Sequence, residues 1–200
     1  MPEPAFLVDG VMEQRIIGHI CPGKTVQRLN CNGIDTPLEV IVNRIEFHIR
    51  LLNNRHSPIV VVIDRERRTK TCEQISGEIS DLLSGRGYTG QFVVGVVDRC
   101  IENWILADWS SVANRFKQYG IRTAPKGANF EGKQGKSELK KLLPRDLLYN
   151  EPTWGKDMFL SCRPERIYQK SASFRAFVDQ LNLHCPWLSR LDDRFRPRYK

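Results

Sequence analysis

The sequence predicts an α/β fold built on a mainly parallel, four-stranded sheet, and three observations carry that prediction. Ile59–Ile63 is an unbroken β-branched run. It is short and apolar enough to be a strand buried on both faces rather than a helix. Phe92–Val97 (FVVGVV) is a second such run. Before and between these runs lie segments with apolar residues at helical spacing, so strands and helices alternate. Alternation of this kind implies parallel strands joined by right-handed crossovers.

Taken in order, Ala5–Val8 (AFLV) reads as a short buried strand ended by Asp9-Gly10. Met12, Ile16, Ile17 and Ile20 recur at helical period over Val11–Ile20, and Pro22-Gly23 stops that helix. Thr25–Leu29 alternates as a second strand, and Asn32-Gly33 is a turn. Leu38, Ile41, Val42, Ile45, Ile49 and Leu52 form one helix face, with Thr36-Pro37 as cap and first turn. Pro58 opens the central strand, and the charged run Asp64–Arg68 closes it. Ile75, Ile79, Leu82 and Leu83 mark a third helix, which ends near Gly85-Arg86-Gly87 before the strand Phe92–Val97.

Beyond Arg99 the pattern changes. Ile101–Ala107 and Val112–Phe116 read as helical, and Gly120–Gly135, with Pro125 and interspersed glycines, as a mobile loop. Ser137–Leu143 is a short helix stopped by Pro144. A Pro- and Trp-containing connection leads to a last helix marked by Phe174, Phe177, Val178 and Leu181, and then to a frayed basic tail, Arg194–Lys200. The expected organisation is a catalytic core over 1–120. A basic loop, helical C-terminal extension and tail over 121–200 pack with it as one compact unit.

Composition limits the classes of function. Hydrophobic residues make up 40% of the chain, enough for a core, and no apolar run approaches a membrane span. The opening MPEPAFLVDG has no basic stretch ahead of an apolar one, so a secretory signal is not expected and a cytoplasmic location is. The six cysteines are scattered without a CxxC pair, which argues against zinc and for reduced, mostly buried thiols. The net charge of +8 favours a polyanionic partner. Bases crowd Lys126–Arg145 and the C-terminus, while acids sit at strand ends. Basic ground around an acidic centre suits a metal-dependent enzyme acting on phosphodiesters; a solvated basic surface is the plainer reading.

The acids carry the chemistry. Asp64 and Glu66 stand at the carboxyl end of the central strand, where open α/β sheets place their sites. Residues two apart on an extended backbone point the same way, so both carboxylates are expected to reach one point. Converging carboxylates repel unless a cation lies between them, and oxygen ligands suggest Mg²⁺ or Mn²⁺. Arg65, Arg67 and Arg68 could equally neutralise these acids. The first strand also ends in an acid, Asp9, with Glu13 one helical turn beyond, so Asp9, Glu13, Asp64 and Glu66 could form one cluster. Glu102 either joins it or pairs with Arg99. A competing motif, Gly18–Thr25, fits GxxxxGK[ST], but a P-loop joins strand to helix, whereas here a helix would run into a strand. His19, His48, His56 and His184 lie in unrelated settings and support no nucleophile.

Several segments resemble known families. Leu7–Glu13 (LVDGVME) is similar to the LVEGxxE opening of Toprim-type domains, and VVVIDRE to their DxD strand. Val96–Asp108 (VVDRCIENWILAD) and Lys170–Phe177 (KSASFRAF) resemble segments of small bacterial proteins grouped as domain-of-unknown-function family 4276. The resemblance implies a Toprim-like fold, related to the metal-dependent nuclease domains of overcoming-lysogenization-defect proteins, which often work with an ATPase in phage defence. It places Asp9 and Glu13 as the first two acids, Asp64 and Glu66 at the DxD positions, and Glu102 at the EaW glutamate. Lys136 and Lys170 stand for lysines of the family. Two departures stand out: Asp9 is one methylene shorter than the usual glutamate, and Glu66 one longer than the usual aspartate.

The function expected from the sequence is therefore a Mg²⁺- or Mn²⁺-dependent nuclease, with a separate ATPase as a possible partner. Asp9, Glu13, Asp64 and Glu66 would hold metal, Glu102 and Lys136 would complete the catalytic set, and Lys133, Lys136, Lys140 and Lys170 would contact nucleic acid. The alternative is a Toprim-like module that binds an ATPase or nucleic acid without cutting.

Overall fold

The computed structural model describes residues 2–31, 35–53, 55–88, 90–181, 187, 188 and 191. Strands β1 (Glu3–Val8), β2 (Thr25–Arg28), β3 (His56–Asp64) and β4 (Phe92–Val97) form one all-parallel sheet in the order β2-β1-β3-β4. Helices α1 (Val11–Ile20), α2 (Leu38–Leu51) and α3 (Cys72–Gly85) are the crossovers. The chain goes one way from β1 to reach β2 and then crosses back to β3, so strand order reverses between β1 and β3. In open parallel sheets the crevice beyond the carboxyl ends at such a reversal is the natural ligand site. Asp9 and Asp64 flank it. Asp9 N donates to Val62 O at 3.1 Å, one step past the register Val8↔Val62.

Period-two alternation divides the strands between two cores. Phe6, Val8, Val60, Val62, Val93 and Val97 pack with α1 and the C-terminal helices, whereas Ala5, Leu7, Ile59, Val61, Ile63, Val94 and Val96 pack with α2 and α3. Cover on both faces explains why these strands carry no polar alternation. α3 begins with a capping box: Thr71 Oγ1 accepts from Gln74 N at 3.2 Å, and Gln74 Oε1 accepts from Thr71 N at 2.8 Å. α2 starts without a side-chain cap, on Pro37.

The second half wraps the α1 face. It comprises α4 (Glu102–Ala107), α5 (Trp109–Arg115), a 3-10 turn (Lys117–Tyr119), α6 (Gly135–Leu142), a π-helical turn (Glu151–Gly155), α7 (Lys156–Ser161), α8 (Pro164–Lys170) and α9 (Ala172–Gln180). The stretch expected as a Pro- and Trp-containing connection is thus folded. Met158, Phe159, Ile167 and Tyr168 anchor α7 and α8, helices too short to display a period. α9 lies on β4 because Gly95 has no side chain; a Cβ there would stand 2.3 Å from the Phe177 ring. Trp104 stacks on Phe177 at 5.7 Å, and its Nε1 donates to Ser173 Oγ at 2.9 Å. Residues on both sides of position 120 therefore share one hydrophobic cluster.

Gly18 lies inside α1 and Thr25 opens β2, so the GxxxxGK[ST] match runs from helix to strand, the reverse of a P-loop. Lys24 Nζ pairs with Glu3 Oε1 at 3.3 Å. Cys31, Cys72, Cys100 and Cys162 are free thiols, whereas Cys21 is disulfide-bonded, which departs from the expectation of reduced thiols. Among the described residues no helix is long and apolar enough to cross a membrane. His184 and the basic tail Arg194–Lys200 lie outside the described residues.

Candidate functional site

One cavity of about 330 Å³ at the carboxyl edge of the sheet is lined by Asp9, Glu13, Asp64, Glu66, Glu102 and Lys136, together with Glu151. Each acid arrives for a local reason. Asp9 follows β1 directly. Gly10 then lets Glu13, in the first turn of α1, lie back over the strand end. The Gly10 backbone is ordinary (φ −130°), but a Cβ there would stand 2.8 Å from Glu13 Oε2. Asp64 is the last residue of β3, and Glu102 the first of α4.

Glu13 and Glu102 are buried, and Asp9 and Asp64 are half-buried. Glu13 is 7% exposed and Glu102 0%. Asp9 Oδ1, Asp64 Oδ1 and Glu102 Oε2 are sealed from solvent with no hydrogen-bond partner, which is rare for native oxygens without a functional reason. Burial, reinforced by Glu66, pushes the Asp9 carboxyl up to about 6. Burial, reinforced by Asp9 and Glu102, pushes Glu13 up to about 7. Asp64 is raised well above the usual range by burial and then by Glu13, Glu102 and Asp9. Glu102 is raised by burial, with Lys136 opposing.

Lys136 is the cation that lines the cavity with this group. Partial burial pulls its pKa down, but Glu102, Glu151 and Asp64 more than reverse that, so it is held above its ordinary value. Its Nζ pairs with Glu151 Oε2 at 2.9 Å, and Tyr149 Oη reaches Glu102 Oε1 at 3.5 Å. Cys31 also lines the cavity, but burial and then Asp9 push its thiol up to about 11, so it is no nucleophile at neutral pH.

Glu66 reaches the site differently from the expectation. β3 ends at Asp64, and Glu66 sits in a turn with φ +54°. The two residues are therefore not two steps along one extended strand. Glu66 N donates to Arg99 O at 2.7 Å, its Oε2 accepts from Asp35 N, and Arg68 Nη1 is 3.8 Å away. Arg99 is bonded to Glu66 O and Gly132 O; Glu102 joins the cavity instead of pairing with it. Asp108 is fully buried elsewhere, accepting from Arg163 N at 2.9 Å and Ser110 Oγ at 3.0 Å.

The lysines divide. Lys136 enters the cavity, whereas Lys140 is exposed one turn further along α6. Lys133 Nζ lies 5.8 Å from the centre of the Phe130 ring, and Lys170 borders a separate groove. Sequence reasoning missed Glu151 and Tyr149, which come from a segment with no periodic signal. It also missed Arg44, which donates to Leu29 O at 2.7 Å and, with Arg68, lowers the Asp9 pKa against the burial that raises it.

The family model described as "Domain of unknown function (DUF4276)" matches residues 9–182, a span that opens on Asp9 and takes in every acid of the cavity. The chain belongs to this family. No curated protein and no solved structure matches it. In this DUF4276 chain the donors around the cavity are carboxylate oxygens apart from the Cys31 sulfur, whose raised pKa keeps it protonated, and that set suits a hard divalent cation. Among the described residues no three His, Cys, Asp or Glu side chains are drawn together tightly enough to hold a metal as they stand. The three orphaned oxygens lie around this one cavity and are the groups a divalent cation would partner.

Proposed function

We propose that this DUF4276 chain is a Mg²⁺- or Mn²⁺-dependent nuclease with a Toprim-like catalytic centre. The observation that carries the reading is the group of orphaned, buried carboxylate oxygens on Asp9, Asp64 and Glu102, set around one cavity at the strand-order reversal. Asp9, Glu13, Asp64 and Glu102 would hold the metal, with Glu66 at the rim. A divalent ion bound there supplies an acidified water and charge neutralisation at a phosphate. The chain supplies the rest. Lys136, held protonated by its acidic neighbours, offsets charge developing on the phosphate. Glu151 fixes the Lys136 ammonium at the cavity mouth. The net charge of +8 favours a nucleic-acid substrate.

The test is cleavage of DNA and RNA in Mg²⁺ or Mn²⁺ by wild type and Asp64→Ala. Cleavage that disappears in the variant is expected; equal cleavage by both refutes the reading. An ATPase partner, as in phage-defence pairs, is tested by whether a neighbouring gene encodes an ATPase and whether adding that protein stimulates cleavage.

A second reading, a binding module that no longer cuts, is favoured by one observation. Glu66 is engaged by Asp35 N and Arg68. Mn²⁺ titration separates the two, since a pure binding module shows no Mn²⁺ affinity that depends on Asp64.

A further inference from the structure

A groove of about 910 Å³ lies away from the carboxylates, between α5, the loop 121–130 and the end of α8. Its floor is apolar, with Ile121 and Phe130, and Asn114 and Asn129 present amides. Lys117 and Lys170 stand on opposite elements, and none of the lining residues is acidic. Asp108, just before α5, adds no surface charge because it is fully buried. At the edge, Arg166 Nη1 donates to Ser110 Oγ at 3.1 Å and adds a third cation.

The groove and the carboxylate cavity have no lining residue in common, but one short segment runs from one to the other. Asn103 Nδ2 donates to Phe130 O at 2.8 Å and to Lys133 O at 3.0 Å. Gly135 lies so close that a Cβ would stand 2.3 Å from Asn103 Oδ1. Asn103 thus clamps the segment 130–135. One end of that segment walls the groove, and Lys136, the next residue, enters the cavity. Glu102, adjacent to Asn103, lines the cavity as well.

We propose that this groove binds a single strand of nucleic acid: Lys117 and Lys170 contact phosphates, the apolar floor takes base faces, and the clamped segment leads the strand to the cavity. An apolar floor with a cationic rim and no acids is how single strands are held without sequence readout. An acidic peptide would meet the same cations but leave the floor without a flat apolar partner. The proposal rests on the nuclease reading for its purpose, but its test does not need cleavage.

The test is fluorescence anisotropy of a labelled oligothymidylate in chelator, across a salt titration, with wild type, Lys117→Gln/Lys170→Gln and Asn114→Trp. Each phosphate contact on a single strand contributes about 0.7 to the slope of log K against log salt, so the double variant should lose about 1.4 of slope. Asn114→Trp, which fills the groove without changing charge, should weaken binding about tenfold or more. Wild-type affinity and slope in both variants overturn the proposal, as does competition by polyglutamate as effective as that by unlabelled oligonucleotide. A chain that binds through the groove yet never cleaves defeats the nuclease reading alone; cleavage by variants with unaltered strand binding defeats the groove alone.

Discussion

Asp98 and Asp64 stand at the same edge of the sheet, one just past β4 and the other at the end of β3, and both have buried oxygens. Asp98 is fully served. Arg65 donates to Oδ1 through Nε at 3.0 Å and through a second guanidinium nitrogen, and Gly132 N donates to Oδ2. Asp64 leaves Oδ1 without a partner and faces Glu13, Glu102 and Asp9. A satisfied buried carboxylate holds structure together, whereas one left unsatisfied among like charges is tolerated at a cost, which a cation bound as proposed above would remove. The contrast predicts opposite responses to the same kind of mutation.

The largest effect should come from the satisfied centre. Asp98→Ala leaves the Arg65 guanidinium buried and unpaired (side-chain exposures 13% and 8% for the pair). Loss of one partner of such a pair costs about 3–5 kcal/mol, or roughly 10 °C in melting temperature for a chain of this size. Calorimetry should find it. A fall of only a degree or two would mean that the pair contributes little and the contrast is wrong.

The next effect belongs to the unsatisfied centre and depends on pH. Asp9 at about 6 and Glu13 at about 7 lie above their ordinary values of 3.8 and 4.5. Across that window the folded state holds protons that the unfolded chain has released, so this contribution lowers stability as pH rises. The penalty is absent below about pH 4 and complete only above about pH 8, a unit past the Glu13 value of about 7, and amounts to about 1–3 kcal/mol for each group. In chelator, the stability of wild type relative to Asp9→Asn should fall between pH 5 and pH 8, and saturating Mn²⁺ should abolish the fall. A flat difference would show that the acids share charge more comfortably than their burial indicates.

Smaller again, and opposite in sign to Asp98→Ala, is Asp64→Asn. Removing one of the crowded charges should raise metal-free stability at pH 8 by about 0.5–2 kcal/mol, the usual scale when a functional site gives up strain. Urea denaturation with and without Mn²⁺ reads it: the variant starts higher and gains less from the metal. A destabilised variant would place Asp64 with Asp98, as a structural group.

The two centres also differ in how far the sequence reveals them. Asp9 and Asp64 are legible because each ends an apolar strand, and a parallel sheet must bring such ends to one edge. The order β2-β1-β3-β4 is not written in any strand, since the three buried apolar runs and the half-exposed β2 pair equally well in several orders. Glu66 misleads because extended geometry stops at Asp64, where Arg68 ties back to Asp64 O and Thr36 O and closes the turn. Glu151 joins the cavity from a π-helical turn, and Tyr149 reaches Glu102 from the loop before it, where no periodicity exists to read. Asp98, in the plain sequence VVDR, looks like another strand-end acid; only Arg65 and the Gly132 amide distinguish it.

The smallest effect on stability should come from Gly10→Ala, set against the same substitution at Gly95. At Gly95 the new Cβ meets the packed Phe177 ring at 2.3 Å, and overpacking of this kind costs about 1–3 kcal/mol. At Gly10 it meets Glu13 Oε2 at 2.8 Å, the free end of a flexible side chain. The backbone there suits alanine, and the unfolded chain loses entropy, so stability should change by less than about 1 kcal/mol in either direction. What should change is the metal response. With Glu13 pushed off the strand end, the Mn²⁺-induced rise in melting temperature should shrink, while Gly95→Ala, though less stable, keeps its full rise. If Gly10→Ala responds to Mn²⁺ like wild type, Glu13 is a bystander, and the metal-holding set contracts to Asp9, Asp64 and Glu102.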